Sequence, residues 1–173
     1  MRPSDPKSQV ETTKKIRDVV KDLESKIIAP EDLVRLRTLV FKKIRTIPYS
    51  KQSAAHEKSI RWKRTADEIL RDGYVYQGKS CTDLVVSFIA LCKALKINAR
   101  FVKVKNENLV HSLAEVKLGK DWYIFDVSNP KSIPEKGELK SGTEWGGWSL
   151  WRKGRDAWDL GLVEFESIEQ IKN

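Results

Sequence analysis

The chain contains one segment in which almost every side chain is apolar. From residue 84 to residue 95 only two positions are polar. A helix that is apolar on nearly all of its faces must be buried on nearly all of them. Just before this segment, Ser80 and Asp83 have the spacing of a capping box, which marks the start of a helix. The sequence therefore predicts a buried central helix that begins near Cys81.

Helical periodicity also precedes this segment. Apolar side chains recur at helical spacing in three stretches, each with a polar opposite face. The predicted helices cover residues 9–28, 30–47 and 53–71. Pro30 suits the first position of the second helix, Pro48 ends that helix, and Gly73 follows the third.

After the central helix the apolar pattern changes to a period of two, which is typical of strands. The predicted strands cover residues 99–105, 109–118 and 121–127, and residues 128–147 form a predicted loop. A short helix is expected near residues 167–171. Helices followed by an antiparallel sheet predict an α+β fold, with N-terminal helices and a central buried helix.

The turn between the last two predicted strands decides which side chains share a face. Glycine as the first residue of Gly119-Lys120 suits a two-residue type II′ turn. Leu118 would then pair with Asp121, and His111 would lie on the same face as Asp126. A three-residue turn would place Asp126 on the opposite face.

The length of 173 residues predicts a single domain with a proper core. Its expected parts are a frayed segment 1–7, a basic helical part 8–72, a catalytic core 73–128 and a tryptophan-rich region 129–173. No apolar segment is long enough to span a bilayer and no signal peptide is recognisable, so we expect a cytoplasmic protein with no membrane partner.

The two cysteines are not expected to pair. Within one helix, Cys81 and Cys92 would lie about 16 Å apart, too far for a disulfide. Cys92 falls among apolar residues and is interpreted as core. His56 is interpreted as a surface residue. The chain has two histidines and no paired ligand spacing, so we expect no metal and no cofactor.

The net charge of +9 is concentrated in the N-terminal part. Residues 1–75 carry 18 Lys and Arg against 11 Asp and Glu, a balance of +7, and the remainder carries +2. The pattern is typical of a solvated helical surface. It also fits a surface that binds nucleic acid or another acidic partner.

Three residues carry the candidate chemistry. A thiol in the first turn of a helix is shifted toward thiolate, and a nucleophilic cysteine needs a base and a group that orients the base. Cys81, His111 and Asp126 can fill these roles as a Cys-His-Asp triad. Asp83 would oppose a thiolate at Cys81, so we expect a cation nearby.

The motifs around these residues resemble the transglutaminase-like superfamily. The resemblance covers roughly residues 60–128 and is carried by Cys81-Thr-Asp, His111-Ser-Leu-Ala-Glu-Val and Trp122-Tyr-Ile-Phe-Asp126. It implies a papain-like fold in which Cys81, His111 and Asp126 are catalytic. Many members have an aromatic residue where this chain has Leu113. The tail at residues 151–161 is similar to that of small archaeal members.

Further residues are candidates for substrate contacts. An oxyanion hole would use the backbone N–H of Cys81 and one side-chain donor. The candidates for that donor are Gln77, Tyr76 and Trp62. The tryptophans of the tail could bind an acyl donor or could clamp the sheet. These candidates are Trp145, Trp148, Trp151 and Trp158.

The expected function is cysteine-dependent acyl transfer on an amide bond through a thioacyl intermediate. The substrate would be a peptide or protein amide, and the acceptor would be water, as in proteases and amidases, or an amine. The alternative is a nucleic-acid-binding module of the same fold, as in the xeroderma group C/Rad4 DNA-repair family. The intact Cys81, His111 and Asp126 argue against a purely binding role.

Overall fold

The computed structural model describes residues 7–23, 27 and 29–172, in which helices and one large sheet surround a central helix. The helices are α1 (Lys14–Val20), α2 (Pro30–Lys43), α3 (Ala54–Ile60), α4 (Ala66–Asp72), α5 (Cys81–Ala94) and α6 (Glu169–Lys172). The strands are β1 (Arg45–Ile47), β2 (Tyr74–Tyr76), β3 (Asn98–Lys105), β4 (Val110–Leu118), β5 (Asp121–Phe125), β6 (Glu135–Lys136), β7 (Glu144–Trp145) and β8 (Trp148–Gly154). The predicted α+β class is confirmed.

Helix α5 is the centre of the core, as predicted. Every residue from Thr82 to Cys92 is buried. Helices α1, α2 and α4 and strands β3 and β4 all pack against it. Phe88 of α5 meets Phe125 of β5 edge to face, with ring centroids 5.6 Å apart. The helix is therefore enclosed on all sides, which explains why it lacks a polar face.

The N-terminal helices are shorter than the sequence indicates. Helix α1 begins at Lys14 because Thr13 accepts a hydrogen bond from the N–H of Ile16 at 3.2 Å and caps it. A 3₁₀ turn, Lys21–Leu23, follows. The rest of the predicted helix, at residues 24–26 and 28, and most of the predicted frayed segment 1–7 lie outside the described residues.

Two predicted helices are interrupted by tertiary pairing. The second ends at Lys43 rather than at residue 47, because β1 pairs in parallel with β2. The predicted helix 53–71 is two helices, separated at Trp62, whose φ is 60°. Helix α4 restarts at a capping box between Thr65 and Glu68.

The large sheet has the strand order β6-β5-β4-β3-β8-β7. The β4–β5 register pairs Leu118 with Asp121, as predicted for a two-residue turn. Gly119 has a φ of 59° and Lys120 has no positive φ, which is the combination of a type II′ turn. The helix predicted near the C-terminus is present as a 3₁₀ turn, Phe165–Ile168, followed by α6.

The tail contributes more to the sheet than predicted. Strand β8 pairs antiparallel with β3 on the side opposite β4. The predicted loop 128–147 contains the two-residue strands β6 and β7. Among the described residues, no helix has the length and apolar character needed to cross a membrane.

Candidate active site

Cys81 is the first residue of α5 and is partly exposed. Ser80 occupies the N-cap position, but its side chain makes no capping hydrogen bond, so the predicted capping box is wrong. The reason is that Asp83 is turned inward: its Oδ2 accepts from Nη2 of Arg64 at 2.6 Å. This buried ion pair neutralises the carboxylate that would oppose a thiolate at Cys81.

His111 and Asp126 lie together, as the hairpin parity predicted. Nε2 of His111 is 3.0 Å from Oδ2 of Asp126, and Ser128 donates to Oδ1 of Asp126 at 2.9 Å. An ionised carboxylate can only accept, so Nε2 carries a proton and Nδ1 is left for Cys81. This is the orientation that a base needs for a nucleophilic thiol.

The electrostatics of the three groups favour an ion pair. Burial alone would raise the pKa of Cys81, but its hydrogen bond to His111 and the charge of Lys103 outweigh burial and lower the pKa to about 6. Burial would lower the pKa of His111, but hydrogen bonds to Asp126 and Cys81 raise it to about 9. Burial opposes ionisation of Asp126, yet its bond to His111 holds its pKa below the ordinary value. At a pH between the pKa values of Cys81 and His111, a Cys81 thiolate would face a His111 imidazolium.

Cys81 opens into a cleft of about 1290 Å³. Thr82, Trp62, Lys103 and Lys105 also line it. The predicted oxyanion donors differ in position: Trp62 lines the cleft, whereas the hydroxyl of Tyr76 is bonded to Nδ1 of His56 at 2.8 Å. Gln77 is exposed, and its backbone N–H donates to Ile47. Of the three candidates, Trp62 is therefore best placed to donate a hydrogen bond to an oxyanion in the cleft.

The four tryptophans of the tail pack within the structure rather than along the cleft lining. The ring of Trp148 stacks on His111 with centroids 5.2 Å apart. Trp145 donates from Nε1 to Glu135 at 3.0 Å, and Trp158 donates to the carbonyl oxygen of Trp62 at 2.6 Å. Trp151 packs against the main core. These contacts favour the clamp interpretation over direct substrate binding.

The remaining cysteine and histidine are placed as predicted. Cys92 is a free thiol with no exposed surface, and burial raises its pKa. His56 is exposed on α3. In the part of the chain that the structure describes, no group of three or more His, Cys, Asp or Glu side chains could hold a metal ion.

Sequence reasoning missed Lys103 and Ser112, which lie beside Cys81. Nζ of Lys103 donates to Ser112 Oγ at 3.0 Å, and Cys81 Sγ is 3.8 Å from the same oxygen. A cation near Cys81 was expected, but its identity was not. Strand parity could have revealed it, since Lys103 is two residues after the core residue Phe101 and therefore points to the same face.

A family model described as the transglutaminase-like superfamily matches residues 13–127. A search of curated proteins finds no significant match.

Solved structures show the same fold at low sequence identity. A candidate cysteine protease from Cytophaga hutchinsonii superposes with a TM-score of 0.61 at 20% identity, over 91% of this chain and 47% of that one. The chain thus spans about half of that protein's length. LapG from Legionella pneumophila superposes with a TM-score of 0.54 at 13% identity, over 90% of this chain and 81% of that one. These neighbours confirm the papain-like, transglutaminase-like fold predicted from the sequence.

Proposed function

Because the chain belongs to the transglutaminase-like superfamily, as its motifs predicted, we propose that it is a cysteine-dependent acyl-transfer enzyme. The observation that carries the proposal is the placement of Cys81 in an open cleft beside His111, which Asp126 orients. The electrostatics of these groups favour a thiolate–imidazolium pair. The substrate is a peptide or protein amide, and the acceptor is water.

The geometry supports a two-step reaction. The Cys81 thiolate attacks the amide carbonyl carbon, and the carbonyl electron pair moves to oxygen as the C–S bond forms. His111 then gives its Nδ1 proton to the leaving nitrogen, the C–N bond breaks, and a thioester remains. Water attacks the thioester while His111 takes its proton. The acid departs and the thiolate returns.

The oxyanion of each tetrahedral intermediate needs donors in place before it forms. The N–H of Cys81 is free of intrahelical bonds because it belongs to the first turn of α5. The indole of Trp62 is the proposed second donor, since Trp62 lines the same cleft.

The nucleic-acid alternative has weaker support. Several basic side chains of the N-terminal part form ion pairs or hydrogen bonds inside the fold. Arg64 binds Asp83, Arg61 binds Glu57, and Arg37 donates to backbone carbonyls. These side chains are not available as a phosphate-binding surface, and an intact Cys81–His111 pair has no role in a purely binding module.

Product analysis tests the proposed function. A library of peptide amides is incubated with the protein, with and without a primary amine, and the products are identified by mass spectrometry. We expect cleaved or deamidated peptides in both conditions, and no products with Cys81→Ala. Cys92→Ala is the matched control and should retain activity. The proposal fails if no library member reacts, or if Cys81→Ala reacts as fast as the wild type.

The activity should depend on pH in a bell shape. The value of kcat/KM is expected to rise through about pH 6 as the pair loses its first proton from Cys81, and to fall through about pH 9 as it loses the second from His111. Asp126→Asn removes the anion that raises the pKa of His111, so its alkaline limb should move to lower pH. If kcat/KM instead rose in a single step near pH 9, a thiolate–imidazolium pair of Cys81 and His111 would be contradicted.

A further inference from the structure

Lys103 brings a positive charge into the core beside the nucleophile. Lys103 is 1% exposed and pairs with Ser112 across strands β3 and β4. Nζ donates to Ser112 Oγ at 3.0 Å and to Thr82 Oγ1 at 3.4 Å. Buried ammonium groups are ordinarily paired with carboxylates. Among the described residues, no carboxylate forms an ion pair with Lys103.

The surroundings stabilise this ammonium without neutralising it. The ring centroid of Trp62 lies 4.9 Å from Nζ, a cation–π distance. Trp62 has a φ of 60°, which is rare for a bulky residue, and its carbonyl accepts from Gln9 and Trp158. An aromatic ring and two hydroxyls attract a cation but carry no net charge. The field of Lys103 therefore persists at Cys81.

Ser112 connects the ammonium to the sulfur. Its oxygen accepts from Lys103 and lies 2.9 Å from Thr82 Oγ1, which can donate to it. The Ser112 proton is then free to point at the Cys81 sulfur, 3.8 Å away. Hydrogen bonds in such a chain polarise one another, so the ammonium strengthens the bond from Ser112 to a thiolate.

We propose that Lys103 is a positioning residue for the nucleophile, which acts through Ser112 to hold Cys81 as a thiolate alongside His111. The proposal rests on the proposed function only in naming Cys81 as the nucleophile. Lys103 itself touches no reacting atom. With Lys103 in place, the thiolate does not depend on the imidazolium alone.

The other charges around the pair are already compensated. Asp126 is bonded to His111, and Asp83 is bonded to Arg64. Arg61, whose charge acts on Lys103, is paired with Glu57. Burial holds the pKa of Lys103 below its ordinary value, and the charge of Cys81 opposes that change.

The test is the pH dependence of iodoacetamide alkylation at Cys81, followed by mass spectrometry of the Cys81 peptide. Lys103→Met keeps the length of the side chain and removes its charge. We expect the apparent pKa of alkylation to rise from about 6 by about 1–3 pH units, the usual effect of a neighbouring opposite charge. Lys105→Met is the matched control, since Lys105 lines the same cleft but its Nζ donates to the carbonyl of Ile171. Its profile should stay at the wild-type position.

Ser112→Ala provides a second measurement if Lys103→Met does not fold. It should shift the apparent pKa in the same direction by a smaller amount. The inference is overturned if the Lys103→Met profile overlays the wild type, if Ser112→Ala causes no shift, or if Lys105→Met shifts as far as Lys103→Met. The two proposals can fail separately. If the pKa of Cys81 depends on Lys103 but the protein hydrolyses no amide, this inference is supported and the proposed function is rejected.

Discussion

Replacing His111 with alanine is expected to reduce amide hydrolysis by on the order of 10³-fold or more, while Cys81 still reacts with iodoacetamide. Turnover needs His111 twice, to protonate the leaving nitrogen and to deprotonate the attacking water. Alkylation needs only the thiolate. Without its hydrogen bond to His111 the pKa of Cys81 rises, but the charge of Lys103 and the bond to Ser112 still lower it.

The measurement compares kcat/KM with the alkylation rate for the same preparation. His56→Ala is the control, because His56 is the other histidine of the chain and lies exposed on α3. The Cys81→Ala/His111→Ala double variant should be no slower than Cys81→Ala, since residues that act as a unit are not additive. Turnover within tenfold of the wild type in His111→Ala would remove His111 from the mechanism.

The arrangement of the candidate triad was predictable because its geometry is mostly local. The faces of β4 and β5 follow from the two-residue period, and the Gly119-Lys120 turn sets their register. His111 and Asp126 therefore had to share a face. Only the approach of Cys81 to that face depends on tertiary packing, and there the family resemblance supplied what spacing could not.

Lys103 was harder to predict because lysine in a strand is ordinarily exposed. Its burial depends on partners from three other segments: Thr82 on α5, Ser112 on β4 and Trp62 between α3 and α4. The break at Trp62 was missed for a similar reason. Helical periodicity continues through that position, and the left-handed backbone is held by Gln9 and Trp158, which are distant in sequence.

Segments distant from the motifs around Cys81, His111 and Asp126 also hold the candidate triad in place. Arg37 of α2 donates to the carbonyls of Asn129, at 2.8 Å, and Ser132, at 2.7 Å. It thereby fixes the loop that follows Asp126. Trp148 of β8 covers the imidazole of His111. The position of β8 could not be predicted from residues 148–154 alone, because its strand character comes from pairing with β3.

Arg64→Met is expected to cost about 3–5 kcal/mol of unfolding free energy at neutral pH, the usual result of breaking a buried ion pair from one side. Arg64 and Asp83 expose only 7% and 11% of their side chains, and Nη2 lies 2.6 Å from Oδ2. Without Arg64, the Asp83 carboxylate is left buried in the first turn of α5. Urea unfolding followed by circular dichroism measures the loss.

The pH dependence of that loss identifies its cause. Burial raises the pKa of Asp83 while Arg64 opposes the rise, so removing Arg64 raises that pKa further. The folded variant then binds the Asp83 proton more tightly than the unfolded chain, and its stability falls as pH rises above about 4, toward the folded pKa. A loss that is the same at every pH would instead indicate a packing defect.

The double variant Arg64→Met/Asp83→Leu separates the ion pair from the shape of the site. Replacing both charges with apolar side chains leaves no uncompensated charge, so stability should return close to the wild-type value and the pH dependence should disappear. Comparing the stabilities of the wild type, Arg64→Met, Asp83→Leu and the double variant then gives the coupling energy between Arg64 and Asp83. Because α5 still begins at Cys81, the alkylation pKa of the double variant should stay low. If the double variant were as unstable as Arg64→Met, the cost would lie in the other contacts of Arg64, with Asp72 and Tyr74, rather than in the pairing with Asp83.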